Sequence, residues 1–344
     1  MNHEHGGNIY KYNNIIDFSA NINPLGMPYS VREAVINSAD AWEKYPDPDC
    51  LQLRKMLSNA EEFPFENIVL GNGADDLIYR IVHCFNPQKA VIYEPTFGEY
   101  EKALKEIDCD VYRYFIKEED SFKLTADILE MLTPDMDILF LCSPNNPTGR
   151  LISPELLKKI SERCMEHNII LVCDECFMGF VENGEIYSLK QCINKNSIIL
   201  KAFTKLYAMP GLRLGYALCG GSNIAEKIHR SGQFWSVSIP AQAAGIAALK
   251  EEKYVCKTID FVKSEREFLI RELQKYDVKV FPSDANYLLL KSSKQLDERL
   301  VNNGILVRNC ANYMGLCDGF YRIAVRTHEE NKLLISALRR CIHG

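Results

Sequence analysis

Four chemically capable segments stand at comparable points of this chain, each just after a short apolar run. Lys205 ends Ala202-Phe203-Thr204-Lys205, after the run at 197–201, and Pro210-Gly211-Leu212-Arg213-Leu214-Gly215-Tyr216 follows. An amine there can act as a nucleophile, although a lone lysine at a strand end is usually a solvated charge. Asp174 and Glu175 close the run at 168–173, two carboxylates at a buried strand end; by itself Asp174 could cap a helix or sit in a surface ion pair. Ser143-Pro144-Asn145-Asn146-Pro147-Thr148-Gly149 closes the run at 137–142, and its two prolines and glycine make a rigid turn. Gly71-Asn72-Gly73-Ala74-Asp75-Asp76 leads from the run at 68–70 into an apolar-periodic helix, so free backbone N–H groups are presented to an anion, unless the loop is a plain turn.

Open α/β sheets bind ligands at the carboxyl ends of their strands. A phosphate seat, an asparagine turn, an aspartate and a lysine at four strand ends, in this chain order, match the needs of one cofactor, pyridoxal 5′-phosphate. With these elements the sequence resembles the fold-type I aminotransferase superfamily (class I/II), in its threonine-phosphate decarboxylase and histidinol-phosphate aminotransferase branch, over nearly the whole chain. The resemblance implies the following roles. Lys205 is the amine that joins the cofactor covalently and later shuttles a proton; Asp174 pairs with the pyridinium nitrogen; Asn146 bonds the ring 3′-oxygen. Gly73, Ala74, Asp75, Thr204 and Arg213 hold the phosphate, Phe97 stacks on the ring, and Tyr45 reaches the phosphate of a neighbouring subunit, which implies a homodimer with shared active sites.

The reaction depends on which bond at the substrate's α-carbon is held perpendicular to the ring: loss of a proton leads to transamination, loss of the carboxylate to decarboxylation. His5-Gly6-Gly7-Asn8, the segment from Asp17 through Asn23 to Gly26, and the segments 304–310 and 321–327 resemble the decarboxylase side. Position 177 points the same way, since the aminotransferases generally carry a tyrosine there and this chain has Phe177, which cannot donate to the 3′-oxygen. Asn309-Cys310-Ala311 departs from the Asp-Cys-Ser usual on that side. Arg322 matches the family's substrate-anion arginine, with Arg308 as a second anion site; Arg326, His5 and Asn23 complete the expected substrate contacts, although Arg326 could be a strand-end surface charge and His5 merely solvated. The expected activity is decarboxylation of L-threonine O-3-phosphate in cobalamin side-chain synthesis, the alternative being histidinol-phosphate aminotransfer in histidine synthesis. A ligand-sensing regulator on the same fold is not expected, since such proteins carry an added basic helix-turn-helix segment and the sequence shows no such pattern.

The elements that must position these groups read as β-rich runs at 68, 90, 137, 168 and 197 alternating with helices, a mostly parallel sheet flanked by helices. One crossover helix opens at Ser153-Pro154-Glu155. After Pro240 a helical stretch with one break, short strands near 278, 286, 305 and 320 and a last helix from about Glu329 form a smaller α+β domain. The expected division is an arm and part of the small domain at 1–40, a large cofactor-binding domain at 41–239 and the small domain at 240–344. Over 344 residues, 40 Lys and Arg stand against 46 Asp and Glu, a net charge of −6 with 25% charged and 47% hydrophobic residues, so a disordered chain is excluded. No basic block marks a nucleic-acid or anionic-membrane partner, and no apolar run is long enough to span a bilayer. Thirteen scattered cysteines fit a reducing, cytoplasmic setting, with Cys173 and Cys176 as buried structural thiols and no metal site.

Overall fold

The computed structural model describes residues 5–293 and 295–343. Its strands are β1 (Ile16–Asp17), β2 (Ile68–Gly71), β3 (Lys89–Glu94), β4 (Asp110–Phe115), β5 (Ile138–Cys142), β6 (Ile170–Asp174), β7 (Ser197–Ala202), β8 (Gly215–Cys219), β9 (Lys279–Val280), β10 (Tyr287–Lys291), β11 (Ile305–Leu306), β12 (Arg308–Asn309) and β13 (Phe320–Ala324). The α-helices are α1 (Tyr29–Asn37), α2 (Leu51–Glu61), α3 (Ala74–Phe85), α4 (Glu99–Lys105), α5 (Pro154–Glu166), α6 (Phe203–Leu206), α7 (Ser222–Arg230), α8 (Ile239–Ala248), α9 (Glu252–Leu273), α10 (Leu296–Val301) and α11 (His328–His343).

Seven strands form the large sheet in the order β2-β8-β7-β6-β5-β3-β4, and only β8 runs against the rest. Both faces are covered, and the alternation along β5 shows it: Leu139 and Leu141 join one apolar cluster, Ile138, Phe140 and Cys142 the other. Chain order reverses at β3, with β4 on one side of it and β5 on the other, and residues following β2, β3, β5, β6 and β7 line one cavity. The edge strand β4 is half-exposed, so it lacks the continuous apolar run that marks the central strands.

The smaller body is the antiparallel sheet β12-β13-β10-β9 beside a parallel β1–β11 pair. Val262, Leu269 and Leu273 of α9 pack with Leu288, Ile323 and Leu334 in its core. Helix α11 opens with a reciprocal capping box in which the Thr327 Oγ1 accepts from the Glu330 N–H (3.4 Å) and Glu330 Oε2 accepts from the Thr327 N–H (3.2 Å). Likewise Ser153 Oγ accepts from the Leu156 N–H at the start of α5, with Pro154 in its first turn.

Packing divides the chain differently from the expected boundaries at 40 and 240. Helix α8 lies in the large-sheet cluster through Ala241, Ala244 and Ala248, against Val31 of α1 and Leu53 of α2. A Cβ on Gly245 would stand 2.7 Å from Leu214, so a small residue sets that approach. Among the described residues of 1–40, Ile16 and Phe18 join the small-domain core, and so do Phe177 and Phe180 from the loop after β6.

Candidate active site

The strand ends enclose a cavity of about 460 Å³ lined by, among others, Ala74, Asp75, Phe97, Asn146, Asp174 and Lys205. Phe177, Thr204, Arg213, Arg322 and His5 also reach it. The structure thus gathers groups from five strand-end loops, the N-terminal segment and β13 at one place.

The glycine loop shapes one end. Gly73 has φ +88°, and a Cβ on it would stand 2.7 Å from Arg213 Nη2, so glycine is required both by conformation and by the guanidinium lying over it. Gly215 lets the Ala74 amide approach β8, since a Cβ there would stand 2.7 Å from that nitrogen. Arg213 Nη2 bonds Asp75 Oδ2 at 3.0 Å, and buried Thr204 completes this end. First-turn N–H groups of α3, a hydroxyl and an arginine together make an anion seat.

Asp174 stands at the end of β6, 6% exposed. Its Oδ1 accepts the Cys176 N–H (2.9 Å) and its Oδ2 the Tyr100 hydroxyl (2.7 Å). Burial pushes its carboxyl above the usual range. No cationic side chain among the described residues is ion-paired with it, so a protonated ring nitrogen would supply the missing partner. Tyr100 is held by a stack on Phe140 and by the edge of Phe97 at 5.6 Å. Phe97 lies in the loop between β3 and α4 and Tyr100 in the first turn of α4, so their contact follows from the fold and no sequence periodicity marks it.

Lys205 lies in the single turn of α6, where the Asn23 N–H donates to its carbonyl (3.1 Å). Burial holds its ammonium below the ordinary lysine range, against the pull of Asp75, with Arg322 and Arg213 lowering it further. A larger neutral fraction makes a better nucleophile. Arg322 is 5% exposed: it donates through Nη1 to Asn146 Oδ1 and through Nη2 to the Ser19 carbonyl (2.6 Å). Its Nε is buried without a partner, so the protein leaves the donors of this guanidinium incompletely used. With the Asn146 oxygen taken, the amide nitrogen is the group left for a ring oxygen. The donor set, the Asp174 carboxyl without a cationic partner and the glycine cradle under Arg213 fit pyridoxal phosphate, the group implied by the resemblance.

Several expected residues lie elsewhere. Asn23 does not line the cavity: its Nδ2 donates to the Leu206 carbonyl (2.6 Å) and Thr258 Oγ1 (2.9 Å), so it braces the lysine turn. Arg326 is not a lining residue either; its guanidinium bonds Glu330 Oε1 at 2.7 Å, and the capping box holds that carboxylate. Arg308 lines a neighbouring cavity and bonds Asn312 Oδ1 at 2.8 Å. Tyr45 stacks on Trp235 at 4.1 Å and is 75% exposed, away from its own chain's cavity. Phe177 lines the cavity with its edge against Tyr287. Tyr313 and Ser19 line it without having been expected, and nothing in their loop sequences marks them. Among the described residues no group of His, Cys, Asp and Glu could hold a metal, and no helix is long and apolar enough to cross a membrane.

Residues 13–338 match the family model for aminotransferase class I and II. The chain is 40% identical to a threonine-phosphate decarboxylase of Salmonella typhimurium, covering 100% of this chain and 98% of the relative. It is 34% identical to a histidinol-phosphate aminotransferase of Methanosarcina mazei, over 95% of this chain and 88% of that one. The solved structure of the histidinol-phosphate aminotransferase from Clostridium acetobutylicum superposes with a TM-score of 0.89 at 29% identity, over 95% of this chain and 98% of that one. A mostly parallel seven-stranded sheet with this constellation at its strand ends, and a match over nearly the full length, make one conclusion: this chain belongs to the class I and II aminotransferase family.

Proposed function

We propose that this chain is a pyridoxal-phosphate-dependent enzyme that converts L-threonine O-3-phosphate to 1-aminopropan-2-yl phosphate and carbon dioxide. The observation that carries the reading is the likeness to the Salmonella decarboxylase over the whole of this chain. Phe177, in place of a phenol that could donate to the ring, supports it. The family and its fold imply dependence on the cofactor.

Arg213, Thr204 and the amides of Ala74 and Asp75 would hold the cofactor phosphate, Asp174 the ring nitrogen, Asn146 the ring oxygen, and Phe97 one face. When bound, the cofactor supplies an electron sink for the bond broken at the α-carbon. Arg322, its donors incompletely used within the protein, binds the substrate's anionic group, and His5 and Arg308 face a second anion from the two adjoining cavities. The bond from the α-carbon to the carboxylate breaks, carbon dioxide leaves, and the Lys205 amine delivers one proton to that carbon. Asp174 keeps the ring nitrogen protonated throughout. The active unit is a homodimer in which Tyr45 of each protomer reaches the site of its partner.

Product identification tests this. The purified, cofactor-loaded protein should release carbon dioxide from threonine phosphate with no 2-oxo acid present. Turnover of histidinol phosphate that requires 2-oxoglutarate, with no carbon dioxide from threonine phosphate, would establish the aminotransferase instead.

A further inference from the structure

A second cavity, of about 1030 Å³, adjoins the first, and His5 lines both. Its ring Nε2 lies 2.7 Å from Glu99 Oε1, and its ring sits 5.7 Å from Phe97. Glu99 is the first residue of α4, and its side chain is only 10% exposed. The other oxygen of that carboxylate is already engaged, accepting the Tyr79 hydroxyl at 3.0 Å and facing Lys102 Nζ at 3.5 Å. Oε1 is thus left to hold the imidazole. A carboxylate this shielded, braced by a hydroxyl and an ammonium, is a stiffer anchor than a surface pair.

The arm that carries His5 is fastened at a second point. The Gly7 N–H donates to Ser19 Oγ (2.8 Å), which donates in turn to Asp17 Oδ1 (2.6 Å). Gly6 lies so close to the Ser19 carbonyl that a Cβ would stand 2.2 Å from that oxygen. The same carbonyl accepts from Arg322 Nη2. The seat of the arm and the orientation of the anion-binding arginine therefore share one residue. With Nε2 on Glu99, Nδ1 is the ring nitrogen left for a ligand.

We propose that Glu99 is a positioning residue: it fixes His5, and with it the N-terminal arm, as the wall between the two cavities, and so sets affinity for a substrate bearing a phosphate monoester. The substrate half rests on the decarboxylase reading; the placing of the arm does not.

Two measurements test it on Glu99→Ala, His5→Ala and the double variant. In the cofactor-free protein, amide hydrogen exchange at residues 6–9 should rise roughly tenfold in either single variant and no further in the double, while α4 stays protected. In the loaded enzyme, KM for threonine phosphate should rise about tenfold in each single variant, with kcat within about twofold and no further loss in the double. His5 is half-exposed, so His5→Ala keeps the test open should Glu99→Ala unfold. Unchanged exchange in the arm, or a fall in kcat with KM unmoved, overturns the proposal. Absence of any threonine phosphate turnover would defeat the decarboxylase reading alone, because the exchange data still decide where the arm sits.

Discussion

Asp174 shows how a functional residue is held against its own preference. It is buried, it accepts two hydrogen bonds, and desolvation still pushes its carboxyl upward because no cation is paired with it. A raised folded pKa means that the native state holds the proton more tightly than the unfolded chain. For the cofactor-free protein this carboxyl therefore costs stability increasingly as pH rises from the ordinary aspartate value, about 4, through the raised one. Asp174→Asn removes that cost and can keep both neighbours bonded, since the Tyr100 hydroxyl can donate or accept. The cofactor-free variant should melt above the parent at pH 8, with the gap closing toward pH 4, while activity of the loaded enzyme falls by roughly a hundredfold or more. Calorimetry across that range checks the first half; an unchanged gap would mean that the carboxyl is not strained. The residue was legible in the sequence only in company with the other three strand ends, because an acid after an apolar run can equally cap a helix or sit in an ion pair. Its tyrosine partner was not, since the bond crosses 74 positions.

At the level of elements, the strands most easily read are the ones buried on both faces, β5, β6 and β7, whose unbroken apolar runs leave a polar residue conspicuous at the end. The half-exposed β4 has no such run, and the small residues of α8, near the expected boundary at 240, pack into a cluster built mostly from another part of the chain. Arg326, open in the sequence between a substrate contact and a strand-end charge, is engaged by the glutamate of a capping box in Thr327-His328-Glu329-Glu330. Burial of charge is the least legible property, and Glu94 at the end of β3 exemplifies it. Only 3% exposed, it accepts the Thr96 N–H, and desolvation pushes its carboxyl up to about 7. Its folded pKa lies above the unfolded one, so stability declines as pH rises between about 4.5 and 7, by up to about 3 kcal/mol. Glu94→Gln should flatten the pH dependence of the unfolding free energy across that window and leave the protein more stable than the parent at pH 8. Urea titrations at pH 5 and pH 8 measure it, and parallel curves for the two proteins would refute it.

For the whole molecule, the unexplained surface lies around Tyr45. Tyr45, Trp42, Phe234 and Trp235 are all exposed, and the Tyr45 and Trp235 rings stack on each other. A lone exposed aromatic needs no account, but Tyr45 and Phe234 both in contact with Trp235, with Tyr45 expected to serve another subunit's site, do. If Tyr45 completes the partner's phosphate seat, each site of a homodimer draws on both chains, and damage in one chain can be offset by the other. Lys205→Ala should have no activity, and Tyr45→Ala should be strongly impaired through weak cofactor binding. In a mixed dimer of the two, the site holding an intact Lys205 also receives an intact Tyr45, whereas the other site lacks both. Random reassociation makes half the dimers mixed, each with one good site, so the mixture should recover about one quarter of the parental activity per protomer. Recovery requires exchange of subunits, which mass measurement on intact dimers of differently tagged chains follows independently. Exchange without recovery would show that Tyr45 acts within its own chain or not at all, and that each protomer builds its site alone.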